Sequence, residues 1–196
     1  MSCIILGLDI SSKTIGYSVI SVDDNKNISI LEISQITPIK QTKTKTQILK
    51  NNIKKTKTII TKLDIFQQLN YVKNEINKIL KKYNPDIIGI EDIAKYFPNK
   101  SSANTIITLA LYNRTIGLEC FNFKSQSPNL CNVLSIRTKI KKQLKLNKIP
   151  DKKEIPDCME KILNIKFPYI YDKNKNINEK SYDMADSLAV AYYMVR

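Results

Sequence analysis

Ile4-Ile5-Leu6-Gly7-Leu8-Asp9-Ile10-Ser11-Ser12 is the stretch on which the fold turns: an apolar run that presents a single carboxylate. A continuous run of Ile and Leu this long reads as a central strand covered on both faces. A carboxylate inside such a strand is costly to bury unpaired. The chain has no histidine, so Asp9 must be compensated either by a basic side chain or by a divalent cation held with other carboxylates. Three later acids, Glu91, Asp183 and Asp186, are the candidates to complete a metal site around it.

Outward from this strand, Thr14 to Val22 is β-branched and breaks at Asp23 to Asn27, and Ile28 to Ile36 resumes the strand pattern until Pro38. Two short, turn-rich connections between three strands predict an antiparallel meander. Lys40 to Lys62 then carries eight lysines and no acid. It reads as an insertion: a solvated, partly mobile loop, or an arm that follows phosphates through Lys43, Lys45 and Lys50. Asp64 to Tyr83 is the clearest helix, with Ile65, Leu69, Val72, Ile76, Ile79 or Leu80, and Tyr83 on one stripe. Thr61-x-x-Asp64 supplies its entry signal and Asn84-Pro85 its stop.

Asp86 to Ile93 is a second buried strand ending in acid, made parallel to the meander by the helical crossover. After a loop at 94–100, Ser101 or Ser102 caps a helix that buries Ala103, Ile106, Ile107, Ala110 and Leu111. Leu118 to Phe123 reads as a fifth strand. The segment from Arg137 to Lys153 is helical and basic, with eight Lys or Arg against Asp151 alone. Ile155 to Ile165 continues as helix, and Tyr182 to Val195 closes the chain as an apolar helix. The expected fold class is α/β: one domain over 1–196 with a five-stranded mixed sheet, three antiparallel strands followed by parallel ones, flanked by helices.

At 196 residues and 42% hydrophobic content the chain can build one sizeable core. Its 32 Lys and Arg exceed 18 Asp and Glu, leaving +14, an excess that concentrates polyanions and points to nucleic acid. No apolar run approaches the ~20 residues of a spanning helix, so no membrane partner is expected. Met1-Ser2-Cys3 runs directly into a strand, so no signal or transit peptide is expected and the place of action is a reducing cytoplasm. Cys3, Cys120, Cys131 and Cys158 form no C-x-x-C pair and read as small buried hydrophobes, not zinc ligands.

Asp183-Met184-Ala185-Asp186-Ser187-Leu188-Ala189-Val190-Ala191 puts two carboxylates one helical turn apart on one face. Acids near a helix start are also favoured by the dipole and by capping. In company with an acid inside one buried strand and another ending a second, they form the residue set of a two-metal site. There, carboxylates hold two Mg²⁺ or Mn²⁺ ions about 3.5 to 4 Å apart across a scissile phosphate. Hard dications require oxygen ligands, and several carboxylates are needed to neutralise two of them.

Gly7-Leu8-Asp9-Ile10-Ser11, Ile90-Glu91-Asp92 and Asp183-x-x-Asp186-Ser-Leu-Ala-Val-Ala resemble the three acidic motifs of RuvC-type Holliday junction resolvases, including bacteriophage, poxvirus and other large-DNA-virus forms. The resemblance runs from residue 3 to 194 apart from 40–62. It implies a ribonuclease H-like fold, a homodimer, and Mg²⁺- or Mn²⁺-dependent symmetric nicking of four-way DNA junctions. The cytoplasm would then be that of a bacterium, a phage-infected cell or a viral factory. By position, Asp9 would bridge both metals, Glu91 and Asp186 would complete the shells, and Asp183 would assist one of them. Pro150-Asp151-Lys152-Lys153-Glu154-Ile155 resembles the segment carrying an active-site lysine, here Lys152, with Lys141 matching a second family lysine upstream. Arg137, Lys141 and Lys142 belong to the basic segment expected to hold nucleic acid. The family's stacking aromatic, three residues after the glutamate, is here Ala94; Tyr96 and Phe97 follow it and are the candidates for base stacking.

Other readings share the fold. A ribonuclease H, or a YqgF-like RNA-processing nuclease, would present the same acids. A proofreading-type exonuclease would carry Glu where Ser11 stands, and a non-catalytic junction binder would have lost an acid. Gly7 to Gly16 also looks like the first phosphate loop of actin-like ATPases and sugar kinases. Those need a second glycine-rich loop, and the only glycines here are Gly7, Gly16, Gly89 and Gly117. No small-molecule cofactor is expected.

Overall fold

A computed structural model describes residues 2–11, 13–38, 40–48, 54–62, 64–93 and 103–195, with backbone alone for 40–48 and 54–62. The meander is β1 (Cys3–Ile10), β2 (Ile15–Val22) and β3 (Ile28–Ile36), antiparallel throughout, with an irregularity between Val19 and Ile20. The described residues of the lysine-rich stretch are strand, not loop. They form β4 (Lys40–Ile48) and β5 (Lys54–Lys62), paired antiparallel as a separate two-stranded sheet in which Lys43 faces Ile59 and Lys45 faces Lys57. The alternating Thr and Lys suit this strand pair, because β-branched Thr favours the extended backbone.

Helix α1 (Ile65–Tyr83) starts at Asp64, whose side chain accepts from the Gln67 amide while Gln67 reaches back to the Asp64 amide; Thr61 belongs to β5. It ends at Asn84 in the left-handed region. The crossover leads to β6 (Ile87–Glu91), parallel to β1. Helix α2 (Ala103–Lys124) absorbs the stretch expected as a fifth strand. Leu118 to Phe123 continues its helical spacing, with Tyr112, Asn113, Ile116 and Cys120 buried, whereas Ile107 and Leu111 are exposed. The fifth strand is β7 (Asn129–Cys131), parallel to β6. The expected caps Ser101 and Ser102 lie outside the described residues.

The basic segment divides into α3 (Val133–Leu144), a 3₁₀ turn at Lys152–Glu154 and α4 (Ile155–Leu163). Lys145 ends α3 in the left-handed region and Pro150 bars its resumption. Helix α5 (Glu179–Tyr193) closes the fold, capped by Asn178 one turn ahead of the acids. Strand order is β3-β2-β1-β6-β7. Leu6, Leu8, Ile88 and Ile90 pack with Val72, Ile76, Tyr112 and Ile116 on one face. On the other, Ile5 and Ile20 pack with Ile136, Ile140, Ile155, Met159, Leu188 and Ala189. The sheet therefore separates α1 and α2 from α3, α4 and α5. Cys120, Cys131 and Cys158 are buried thiols and Cys3 is half-buried, all free.

Candidate active site

The strand pleat aims the acids. Leu6, Leu8 and Ile10 face the α1–α2 layer, so the intervening Gly7 and Asp9 face α5. In β6, Ile88 and Ile90 face α1–α2, and Gly89 meets Val190 and Met194 at the end of the chain. Glu91 shares that side by alternation. The parallel register pairs Gly7 with Gly89 and Leu8 with Ile90, which carries Asp9 alongside Glu91.

Two glycines let α5 close onto this edge. A Cβ at Gly7 would stand 2.2 Å from the Ser187 carbonyl oxygen, and one at Gly16 would stand 2.1 Å from that of Asp183. Backbone of α5 therefore lies directly against β1 and β2, and Asp183 and Asp186 come to rest over Asp9. A buried pair reinforces the seat: Ser18 Oγ and Ser187 Oγ are 2.8 Å apart, and Ser187 Oγ donates to the Met184 carbonyl. Ser11, whose identity excludes the exonuclease pattern, lies beside the site. Its Oγ accepts from the Thr14 amide at 3.0 Å, donates to the Thr14 carbonyl, and stands 3.4 Å from Asp183 Oδ2. Sequence reasoning does not assign the glycines or this serine to the site, because each place depends on which helix packs there.

Lys152 reaches into the acids from the 3₁₀ turn. Its Nζ donates to Asp183 Oδ1 at 2.7 Å and lies 3.4 Å from Asp186 Oδ2 and 4.0 Å from Asp9 Oδ2. Asp9 Oδ2 is buried with no hydrogen-bond partner among the described residues. Burial, Glu91 and Asp186 push the Asp9 carboxyl well above its ordinary range. Burial and Asp186 push Glu91 up to about 7, and burial raises Asp186 against the pull of Lys152 and Arg137. Burial opposes the charge of Lys152, but Asp9, Asp186 and Asp183 outweigh it and raise its pKa. The charge balance of the pocket therefore holds Lys152 as an ammonium and resists full ionisation of the acids.

Arg137 is the second cation of the site. It leaves α3 one turn from its start, which follows β7 beside Glu91, and its charge lowers both Glu91 and Asp186. Its Nε is buried without a hydrogen-bond partner among the described residues. Lys141 and Lys142 sit in the last turn of α3, with Lys141 about 6 Å farther along the helix axis than Arg137. Arg137, expected from the sequence only as part of the basic segment that holds nucleic acid, thus acts electrostatically on two of the acids. Tyr96, Phe97, Ala94 and Lys50 lie outside the described residues, and Lys43 and Lys45 fall in β4, of which only backbone is described.

Among the described residues no three His, Cys, Asp or Glu side chains already form a metal cage; the Lys152 ammonium stands among three of the carboxylates. The donor chemistry nevertheless suits hard dications. All ligands on offer are carboxylate oxygens, they repel one another, and one buried oxygen of Asp9 is unpartnered.

No family profile matches the chain. A crossover junction endodeoxyribonuclease RuvC of Ehrlichia ruminantium (strain Gardel) is 28% identical over 192 residues, covering 95% of this chain and 92% of its own. That of Fusobacterium nucleatum is 23% identical, covering 89% and 88%. Among solved structures, Thermus thermophilus RuvC in complex with Holliday junction substrate shares 12% identity and a TM-score of 0.59, covering 97% of this chain and 91% of that one. The yeast mitochondrial Holliday junction resolvase Ydc2 shares 18% and a TM-score of 0.60, covering 97% and 77%. The chain is thus similar in sequence to RuvC proteins along nearly its whole length, and it has the ribonuclease H-like α/β fold of the RuvC and Ydc2 structures.

Proposed function

We propose that the protein is a Holliday junction resolvase, an endonuclease that makes paired symmetric nicks in four-way DNA by two-metal-ion phosphodiester hydrolysis. The observation that carries the reading is the convergence of Asp9, Glu91, Asp183 and Asp186 with Lys152 at one sheet end, in a chain with RuvC relatives. The four acids would hold two Mg²⁺ or Mn²⁺ ions, which when bound activate water and neutralise charge on the phosphate. Lys152 compensates three of the carboxylates that would hold the cations. The Lys152 ammonium, which now lies on Asp183 and Asp186, would stand beside a phosphate bound at these acids and stabilise the charge that develops during hydrolysis. Arg137, on the Glu91 side, holds the same phosphate from the other flank. Two nicks placed symmetrically require two such sites, and a homodimer supplies them.

The test is the full chain with Mg²⁺ on labelled four-way junction, linear duplex and RNA/DNA hybrid in parallel. Paired nicks confined to the junction are expected. Hybrid-only cleavage would move the protein to the ribonuclease H or RNA-processing reading. Asp9→Asn and Glu91→Gln are each expected to abolish cleavage with junction binding preserved, and cleavage retained in either would remove the metal-site assignment.

A further inference from the structure

A groove of about 830 Å³ opens beside the acids and shares Asp183 and Lys152 with them. Asp183 and Lys152 form its inner wall; Lys13, Lys153 and Lys180 line the rest, from the β1–β2 turn, the 3₁₀ turn and the first turn of α5. Among the described residues none of these three lysines is in an ion pair; Lys180 Nζ donates to Thr37 Oγ1 at 3.0 Å. One further carboxylate, Glu179, faces them. Thr37, Pro38 and Gln68 also line it. Thr37 and Pro38 lie just ahead of β4, and Gln68 is in the first turn of α1, which follows β5. The groove thus runs from the carboxylates to both roots of the lysine-rich ribbon.

We propose that this groove seats the nucleic-acid strand on one side of the bond that is cut, with Lys13, Lys153 and Lys180 each compensating a backbone phosphate. The inference rests on the nuclease reading for what happens at its inner end, but strand binding in the groove is independent of it. Three ammonium groups outside any ion pair, brought together from three separate elements, suit a polyanion. A free mononucleotide would leave the outer half of the groove unused, whereas a strand continues from the acids toward the ribbon.

The test uses the full chain carrying Asp9→Asn, so that binding alone is read. Lys13→Ala/Lys153→Ala/Lys180→Ala is compared with Lys161→Ala/Lys166→Ala/Lys173→Ala, which removes equal charge outside the groove. Affinity for a single-stranded oligonucleotide and for a four-way junction is measured by fluorescence anisotropy across a salt series. The groove variant is expected to lower the log–log salt slope by about 2, at ~0.7 to 0.9 for each phosphate left without its lysine, and the control by less than half of that. An unchanged slope in the groove variant, or an equal reduction in the control, overturns the proposal. Should the triple variant not fold, Lys13→Ala and Lys153→Ala, both exposed, are each expected to lower the slope by about a third as much. No cleavage is read, so failure of the nuclease reading leaves this result standing, and failure of the groove leaves the nuclease reading standing.

Discussion

Lys152 is the residue on which the acidic site depends, because it compensates three carboxylates at once and its own charge is held by them. Removing one preorganised stabiliser of transition-state charge costs ~10²- to 10³-fold in rate. Lys152→Ala is therefore expected to slow single-turnover junction cleavage by about that factor while junction affinity changes by less than about threefold. Cleavage at the native rate would return Lys152 to the role of a surface base. The raised carboxyls also set a pH dependence. A carboxyl whose folded pKa lies above its unfolded value binds more protons folded than unfolded, so stability falls as pH rises between the two. For Glu91 that window runs from 4.5 to about 7, and the loss is on the order of 3 kcal/mol. Asp9 and Asp186 act in the same direction. Urea unfolding without metal should show declining stability from about pH 5 to 7.5, and Mg²⁺ should stabilise far more at the upper end. Stability that climbs across this range would contradict the electrostatic account.

At the scale of elements, the site exists because α5 lies on β1 and β2 without intervening side chains. Gly16→Ala would force its Cβ into the Asp183 carbonyl, costing roughly 1–3 kcal/mol or more by overpacking and displacing Asp183. Gly117 in α2 has open space around its Cβ position, so Gly117→Ala is expected to stabilise by about 0.5–1 kcal/mol through helix propensity. Urea midpoints and Mg²⁺ affinity measured on both variants check the contrast; equal effects would mean that α5 is not held by this close approach. α1 is legible because its apolar stripe and Asp64 cap agree. Leu118 to Phe123 misleads because a short apolar run reads equally as strand or helix, and only the burial of Ile116 and Cys120 on one side shows α2 continuing through it. β7 spans three residues, too few for any periodicity. A second network ties α1 to the sheet edge: Glu32 on β3 accepts from Tyr17, Tyr83 and Lys82, which overcome its burial and lower it to about 2.

Across the whole molecule, the charge is +14, and the ribbon, the groove and the basic helix α3 each contribute to it. Neutralising Lys43, Lys45 and Lys50 together is expected to weaken junction binding and reduce its salt slope by up to about 0.9 for each phosphate they would otherwise neutralise. An unchanged slope in a salt titration would leave the ribbon as architecture without a hold on DNA. Among the described residues no helix is long and apolar enough to cross a membrane. Sequence alone determined the α/β class, the meander, the crossover helix and the four acids. Each of these rests on local periodicity or on the cost of burying a carboxylate. Only the tertiary structure decided that Arg137 acts on Glu91 and Asp186, that Gly7 and Gly16 admit α5, and that three distant lysines share a groove. Those are outcomes of which surfaces pack together, and spacing along a chain does not record the distance between elements that meet only when the sheet is closed.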